Sequence, residues 1–129
     1  RQLHARLVLL HVQPAPTVVM PMGGMAPAVS LSSERDRIEA IDREASSDEL
    51  ELMAGALGTD LDIEHRVVLG SGSVARSILD AAEETPTQLI VIGSHGRSGF
   101  SRFFMGSVAE EVMRGAQQPV LVVPDVEAA

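Results

Sequence analysis

The chain contains no cysteine, no lysine, no tryptophan and no tyrosine in its 129 residues. Without thiols there can be no disulfide, no thiolate metal site and no thiol nucleophile, a composition that fits a cytoplasmic protein. Without lysine there is no Walker A phosphate loop, whose lysine reaches the terminal phosphates, and no Schiff-base chemistry. All ten basic residues are arginine. Aromatic residues are confined to Phe100, Phe103 and Phe104, which leaves no platform on which bases could stack. Their i, i+3, i+4 spacing suits packing, or a hydrophobic flap over a ligand. The net charge of −8 argues against a general nucleic-acid binder, whose affinity comes mainly from cations set along phosphates. No run approaches the ~20 apolar residues of a membrane-spanning helix. The four histidines, His4, His11, His65 and His95, have no metal-ligand spacing, so no dedicated metal site is expected. His11 reads as a core histidine.

What remains is globular: 45% of residues are hydrophobic and 22% charged, in a length that makes one domain over residues 1–129. Arg6 to Val12 is a near-continuous apolar run, the mark of a strand covered on both faces. Gln13 to Ser33, rich in Pro, Gly, Met and Ser, reads as a loop. The pattern then turns helical from Ser33, a suitable N-cap, to about Leu57, with Ile38, Ile41, Ala45 and Leu52 at apolar positions. Eight acidic residues against Arg35, Arg37 and Arg43 lie between Glu34 and Glu51, which reads as a solvated helix face more readily than as an acidic docking surface.

Leu61 to Leu69 alternates, with Leu61, Ile63, Val67 and Leu69 on one face, as in a half-exposed strand at a sheet edge. Gly70-Ser71-Gly72-Ser73 leads into a helix from about Val74 to Glu84 with Ala75, Ile78, Leu79 and Ala82 as its buried stripe, and Pro86 stops it. Leu89 to Ile92 is a short apolar strand. A glycine-rich loop, a helix to about Ala116 and a last strand, Pro119 to Val123, follow. Strands alternating with helical crossovers predict an α/β fold, doubly wound, with a mainly parallel sheet.

The stretch from Val91 to Val112 holds four of the eleven glycines, Gly93, Gly96, Gly99 and Gly106. In open α/β sheets ligands lodge beyond the carboxyl ends of the strands, and this stretch begins at such an end. Glycine admits positive φ and the close approach of a ligand, and successive amides so arranged form an anion-binding nest. Gly106-Ser107 opens a helix whose first amides are unpaired and whose dipole favours negative charge. Residues 93–107 carry +2, from Arg97 and Arg102, while the rest of the chain carries −10, so an anion would be concentrated there. A purely structural reading stays open beside the phosphate site: Ser107-Val-Ala-Glu110 is a capping box that starts a helix with no ligand present.

The spacing Gly93-x2-Gly96-x9-Gly106-Ser107, with GSHGRSG around it, LLHV at 9–12 and PVLVVP at 119–124, resembles the nucleotide-binding signature of the universal stress protein family. The resemblance implies a Rossmann-like, adenine nucleotide alpha hydrolase-like domain with strand order 3-2-1-4-5 that binds ATP. Transferred by position, Gly96, Gly106 and Ser107 would contact phosphates and Val108 would add an amide. Ile92 and Gly93 would line the ribose and adenine region, and Val12 matches the position that packs on adenine. Arg97 stands where the family is usually basic; its charge suggests phosphate contact. Gly99 belongs to the same loop, and His95 suits loop positioning or phosphate proximity better than acid–base work, since no carboxylate is placed by motif to orient it. A magnesium ion can arrive with the nucleotide.

The family's last strand pairs between subunits, which implies a homodimer through Val120, Leu121, Val122 and Val123; an unshielded apolar edge invites the same pairing physically. Family members open with a strand carrying an Asp near the nucleotide, then a helix, whereas this sequence begins near that helix's last turn. The expectation is a remainder of a longer polypeptide, or a strand supplied by another chain, with the family's first strand and most of its first helix absent. The function so implied is a nucleotide-dependent binding or signalling module in the stress response. The alternatives are a slow ATP hydrolase, for which no base or positioned water is recognisable, and a structural dimerisation module that binds no nucleotide.

Overall fold

The structure, a computed structural model, describes residues 4–15, 28–58, 60–70, 72–95 and 105–124. The chain divides into two compact units, Arg1–Gly70 and Ser71–Ala129.

In the first unit, strand β1 (Arg6–Gln13) pairs in parallel with β2 (Asp62–Leu69), from Arg6 opposite Asp62 to Gln13 opposite Leu69. Parallel strands need a long crossover, and helix α1 (Ala28–Leu57) supplies it and packs on both strands. The far ends of the strands are tied together by Gln13, which is buried. Its carbonyl accepts from the Gly70 amide at 2.8 Å, and its side-chain nitrogen donates to the Glu39 carbonyl of α1 at 3.4 Å. Arg6 pairs diagonally with Glu64 across the two strands, an exposed contact of little energetic weight. Among the described residues β2 has β1 as its one strand neighbour, but the expected one-sided face is not kept: Leu61 and Leu69 are exposed while Glu64 and Arg66 are half-buried.

Two expectations for α1 are corrected. The helix begins at Ala28, directly after Pro27 in the sequence, and Ser33 lies inside it rather than capping it. A proline ahead of a helix costs no hydrogen bond, because the first amides have no intrahelical acceptor. The protected face is also not the most apolar one. Glu39, Ser46, Ser47, Leu50 and Ala54 are sheltered, whereas Ile38, Ile41, Ala45 and Leu52 stand exposed, Leu52 at 77%. The small and polar side chains on the sheltered face let the helix lie against the β1–β2 pair. Asp36, Asp42, Glu44, Asp48 and Glu51 are exposed, and Glu39 pairs with Arg35 one turn away at 3.1 Å. The acidic run is a solvated surface.

The second unit holds α2 (Val74–Glu84), β3 (Ile90–Gly93), α3 (Ser107–Gly115) and β4 (Val120–Val123). Ser73 caps α2, its hydroxyl accepting from the Arg76 amide at 3.1 Å and donating to Glu111 of α3 at 2.8 Å. Gly72 precedes it with φ 121°, in the region that favours glycine. Thr85, the residue before Pro86, takes up an extended conformation and ends the helix, as the clash with the proline ring requires. Strands β3 and β4 run parallel, Ile90 opposite Val120 through Gly93 opposite Val123. In the family's numbering, where β1 here is the second strand, the pairs β1–β2 and β3–β4 are strands 2–3 and 4–5, which are neighbours in the order 3-2-1-4-5, and the chain has an α/β fold with parallel strands.

The core of this unit is Ala75, Leu79, Ala82, Ile90 and Val112, with Ile78, Ile92, Val108, Ala116 and Val120 packed against it. A Cβ on Gly115 would stand 2.5 Å from a Leu79 methyl, so the absence of a side chain there sets how closely α3 approaches α2. One face of the strand pair is filled in this way. On the other, Val91, Leu121 and Val123 are exposed, so β3 alternates where a wholly apolar sequence suggested cover on both sides. Val112 is fully buried. Val112→Ala is expected to destabilise the fold by about 2 kcal/mol, read as a lower urea midpoint; a loss under about 0.5 kcal/mol, the size of a surface substitution, would contradict the packing described.

Candidate functional site

The carboxyl end of β3 and the start of α3 meet through two main-chain hydrogen bonds on one residue. The Ser94 amide donates to the Val123 carbonyl at the end of β4, 2.8 Å away, and the Ser94 carbonyl accepts from the Gly106 amide at 2.6 Å. Twelve positions separate Ser94 from Gly106 in sequence, yet their backbones touch. A Cβ on Gly106 would lie 3.1 Å from the Ser94 oxygen and 3.7 Å from the His95 Cα. A side chain at 106 would therefore push against backbone that β4 already holds. Gly106 has φ −61° and ψ 149°, so close approach, not positive φ, is what requires glycine. Gly93 likewise lies in the extended β3 strand, and the described glycines with positive φ are Gly58 and Gly72.

Gly106 is the N-cap of α3, its carbonyl accepting from the Glu110 amide at 3.0 Å, and no side chain caps the helix. This corrects the capping box. Ser107 is the first helical residue and is exposed. Glu110 thus falls one position too late to reach back to the cap, and pairs instead with Arg114. The physical reason is the Gly106–Ser94 hydrogen bond, which fixes Gly106 in an extended conformation and makes it the last non-helical residue. The amides of Ser107, Val108 and Ala109 are left without intrahelical acceptors. The hydroxyl of Ser107 is spared from capping.

Of the sequence-derived site residues, the second unit brings together Ile92, Gly93, His95, Gly106, Ser107 and Val108. Ile92 and Val108 pack their side chains against the core, so Val108 can offer a ligand its amide and not its side chain. His95 is half-buried; its Nδ1 lies 2.9 Å from the Ser94 hydroxyl, and its Nε2 has less than 1 Å² of accessible surface and no hydrogen-bond partner among the described residues. Gly96, Arg97, Gly99 and the three phenylalanines lie outside the described residues. Val12 belongs to the first unit, half-buried in β1 opposite Val68. Of the dimer residues, Leu121 and Val123 are exposed, and Val120 and Val122 are half-buried.

Sequence reasoning missed Ser94. It stands between two residues with obvious signals, Gly93 and His95, and serves mainly through its backbone. A serine directly beside a loop histidine is the one clue the sequence offers.

The residues present fit an anionic ligand. A Cβ at Gly106 would crowd the Ser94 carbonyl, the first three helix amides have no intrahelical acceptor, the Ser107 hydroxyl does not cap the helix, and the buried His95 Nε2 has no partner among the described residues. Elsewhere, a hollow of about 570 Å³ lies on α1, lined by Asp48, Glu51, Leu52 and Gly55; its two carboxylates would repel a polyphosphate. No helix among the described residues is long and apolar enough to cross a membrane.

Known proteins share both the sequence pattern and the fold. The chain is 46% identical over 52 residues to Universal stress protein MJ0531 of Methanocaldococcus jannaschii, a match covering 40% of this chain and 31% of that one. It is 31% identical over 88 residues to Universal stress protein YxiE of Bacillus subtilis, covering 67% and 60%. The matches thus span about a third to three-fifths of these relatives' own lengths. The solved structure of MJ0577, a universal stress protein of M. jannaschii, superposes with a TM-score of 0.71 at 22% identity, over 95% of this chain and 78% of that one. At that identity the likeness is one of fold. The family model described as "Universal stress protein family" matches residues 1–124, both strand pairs and the β3–α3 junction included, and the chain belongs to the universal stress protein family.

Proposed function

We propose that this protein is an ATP-binding module of the stress response, in which main-chain amides at the start of α3 and the Ser107 hydroxyl hold the nucleotide phosphates. The observation that carries the reading is the bare cap: Gly106 opens α3 with no side chain over it, held against Ser94, so the positive end of the helix dipole stays open to an anion. Gly93 and Ile92 border the same strand end. Gly96, Arg97 and Gly99 extend the site in sequence, and Arg97 and Arg102 make the segment cationic within an acidic chain. The nucleotide supplies a polyphosphate whose charge the protein reads; the protein's own part is to bind and orient it, with magnesium as a companion ion. The molecule acts by binding, in the cytoplasm, with no hydrolytic step assigned.

Gly106→Val should abolish ATP binding, but its Cβ would also meet Ser94 and disturb the junction itself. Ser107→Ala is the cleaner probe. Because Ser107 is not the cap, the substitution should leave the urea midpoint of the ligand-free protein nearly unchanged, within about 0.5 kcal/mol, against about 0.5–2 kcal/mol for a lost cap. ATP affinity measured by calorimetry should fall about tenfold, the worth of a hydrogen bond to a charged group. Unchanged affinity, or a large loss of ligand-free stability, would contradict the assignment.

A homodimer through β4 belongs to the same proposal. Among the described residues its one strand neighbour is β3, which leaves its other edge for a second copy to pair with, and Leu121 and Val123 on the adjoining face are 52% and 43% exposed. Light scattering at micromolar concentration should report a dimer. A monomer alone would rule the interface out.

A further inference from the structure

We infer that His95 is a phosphate-contacting donor and that Ser94 is its positioning residue, setting which ring nitrogen carries the proton. This deepens the nucleotide-binding reading and rests on it.

Three observations converge on the pair. Ser94 is fixed at both ends of its peptide units, to Val123 through its amide and to Gly106 through its carbonyl. Its hydroxyl lies 2.9 Å from His95 Nδ1. His95 Nε2 is sealed from solvent yet has no partner among the described residues, although buried polar atoms are nearly always satisfied and an orphan is costly. The histidine also abuts the opening of α3, its Cα lying 3.7 Å from where a Cβ of Gly106 would stand.

The chemistry follows from counting protons. A neutral imidazole has one N–H, and a serine hydroxyl can donate to Nδ1 or accept from it. If Nδ1–H donates to Ser94, Nε2 is a bare acceptor and has nothing to offer an anion. If the Ser94 hydroxyl donates to Nδ1, the proton resides on Nε2, which becomes a donor. A phosphate oxygen accepts and never donates, so it selects the second arrangement. The neighbouring amides of α3 have the same preference, since they too are donors. A hydroxyl at Nδ1, rather than a carboxylate, also leaves the ring without the partner that orients a general base. The ring is thus equipped to hold a phosphate rather than to activate a nucleophile.

The test is the ring itself. Protein carrying ¹⁵N-labelled histidine is titrated with ATP, with inorganic tripolyphosphate and with adenosine, and the His95 ring nitrogens are followed by NMR. Nδ1 should resonate as unprotonated and Nε2 as protonated, and Nε2 should shift with ATP and with tripolyphosphate but not with adenosine. In calorimetry His95→Gln, whose amide reaches toward the place of Nε2, should keep ATP affinity within about threefold. His95→Asn, which reaches only the place of Nδ1, should lose about tenfold. Ser94→Ala should leave both tautomers populated in the NMR spectrum. If ATP binds while Nε2 does not respond, or if Asn serves as well as Gln, the inference fails and the nucleotide reading stands. If no ATP binds at all, both fail.

Discussion

The hydrogen bond from the Gly106 amide to the Ser94 carbonyl is the constraint on which the site depends. It brings the start of a helix against the end of a strand twelve positions earlier, and it does so between backbones, at a distance where a side chain at 106 would be crowded. Ser94 cannot yield, because its own amide is bound to Val123 of the adjacent strand. Gly106 is therefore held extended, the helix begins one residue later, and three amides are left without intrahelical acceptors. The proposed anion site needs no lysine, which suits a chain that has none.

The packing behind the junction keeps it still. α2 and α3 approach closely at Gly115 and Leu79, and Ala75 and Ala82 contribute small side chains to the same core. Val112 fills the centre, one helical turn and a residue beyond Ser107. A ligand held by amides gains from such rigidity, because donors fixed in advance cost no ordering entropy on binding. The solvated acidic helix α1 has a different physical role. It carries eight of the eighteen acidic residues against three arginines, while the 93–107 segment is cationic.

Much of the fold was legible in the sequence because its signals were local and agreed with one another. Ser73 before a 3.6-period stripe and Pro86 after it marked α2 to the residue, and unbroken apolar runs marked β1, β3 and β4. The start of α1 was not legible, because Ser33 carries a cap's chemistry without a cap's position, and the stretch before it is poor in periodic apolar residues. Nor was the sheltered face of α1, where Ser46 and Ser47 lie inward and Ile41 outward; tertiary packing overrode the hydrophobic pattern. The candidate site is expected from its glycines, yet one expected feature, the capping box, is displaced by a single residue. Ser107-x-x-Glu110 has the spacing of a capping box, and only the long-range contact between Gly106 and Ser94 moves the cap back to the glycine. Ser94 escaped notice for the same reason, since its role lies in bonds to residues far away in sequence.

Amide chemical-shift mapping by NMR, with ATP added to the folded protein, tests the proposed phosphate cradle most directly. The expected result is a saturable downfield shift of the Ser107, Val108 and Ala109 amides, with smaller changes at Ser94 and His95. Saturable shifts confined to other surfaces, such as the exposed face of α1, or no saturable shift at the start of α3, would contradict it.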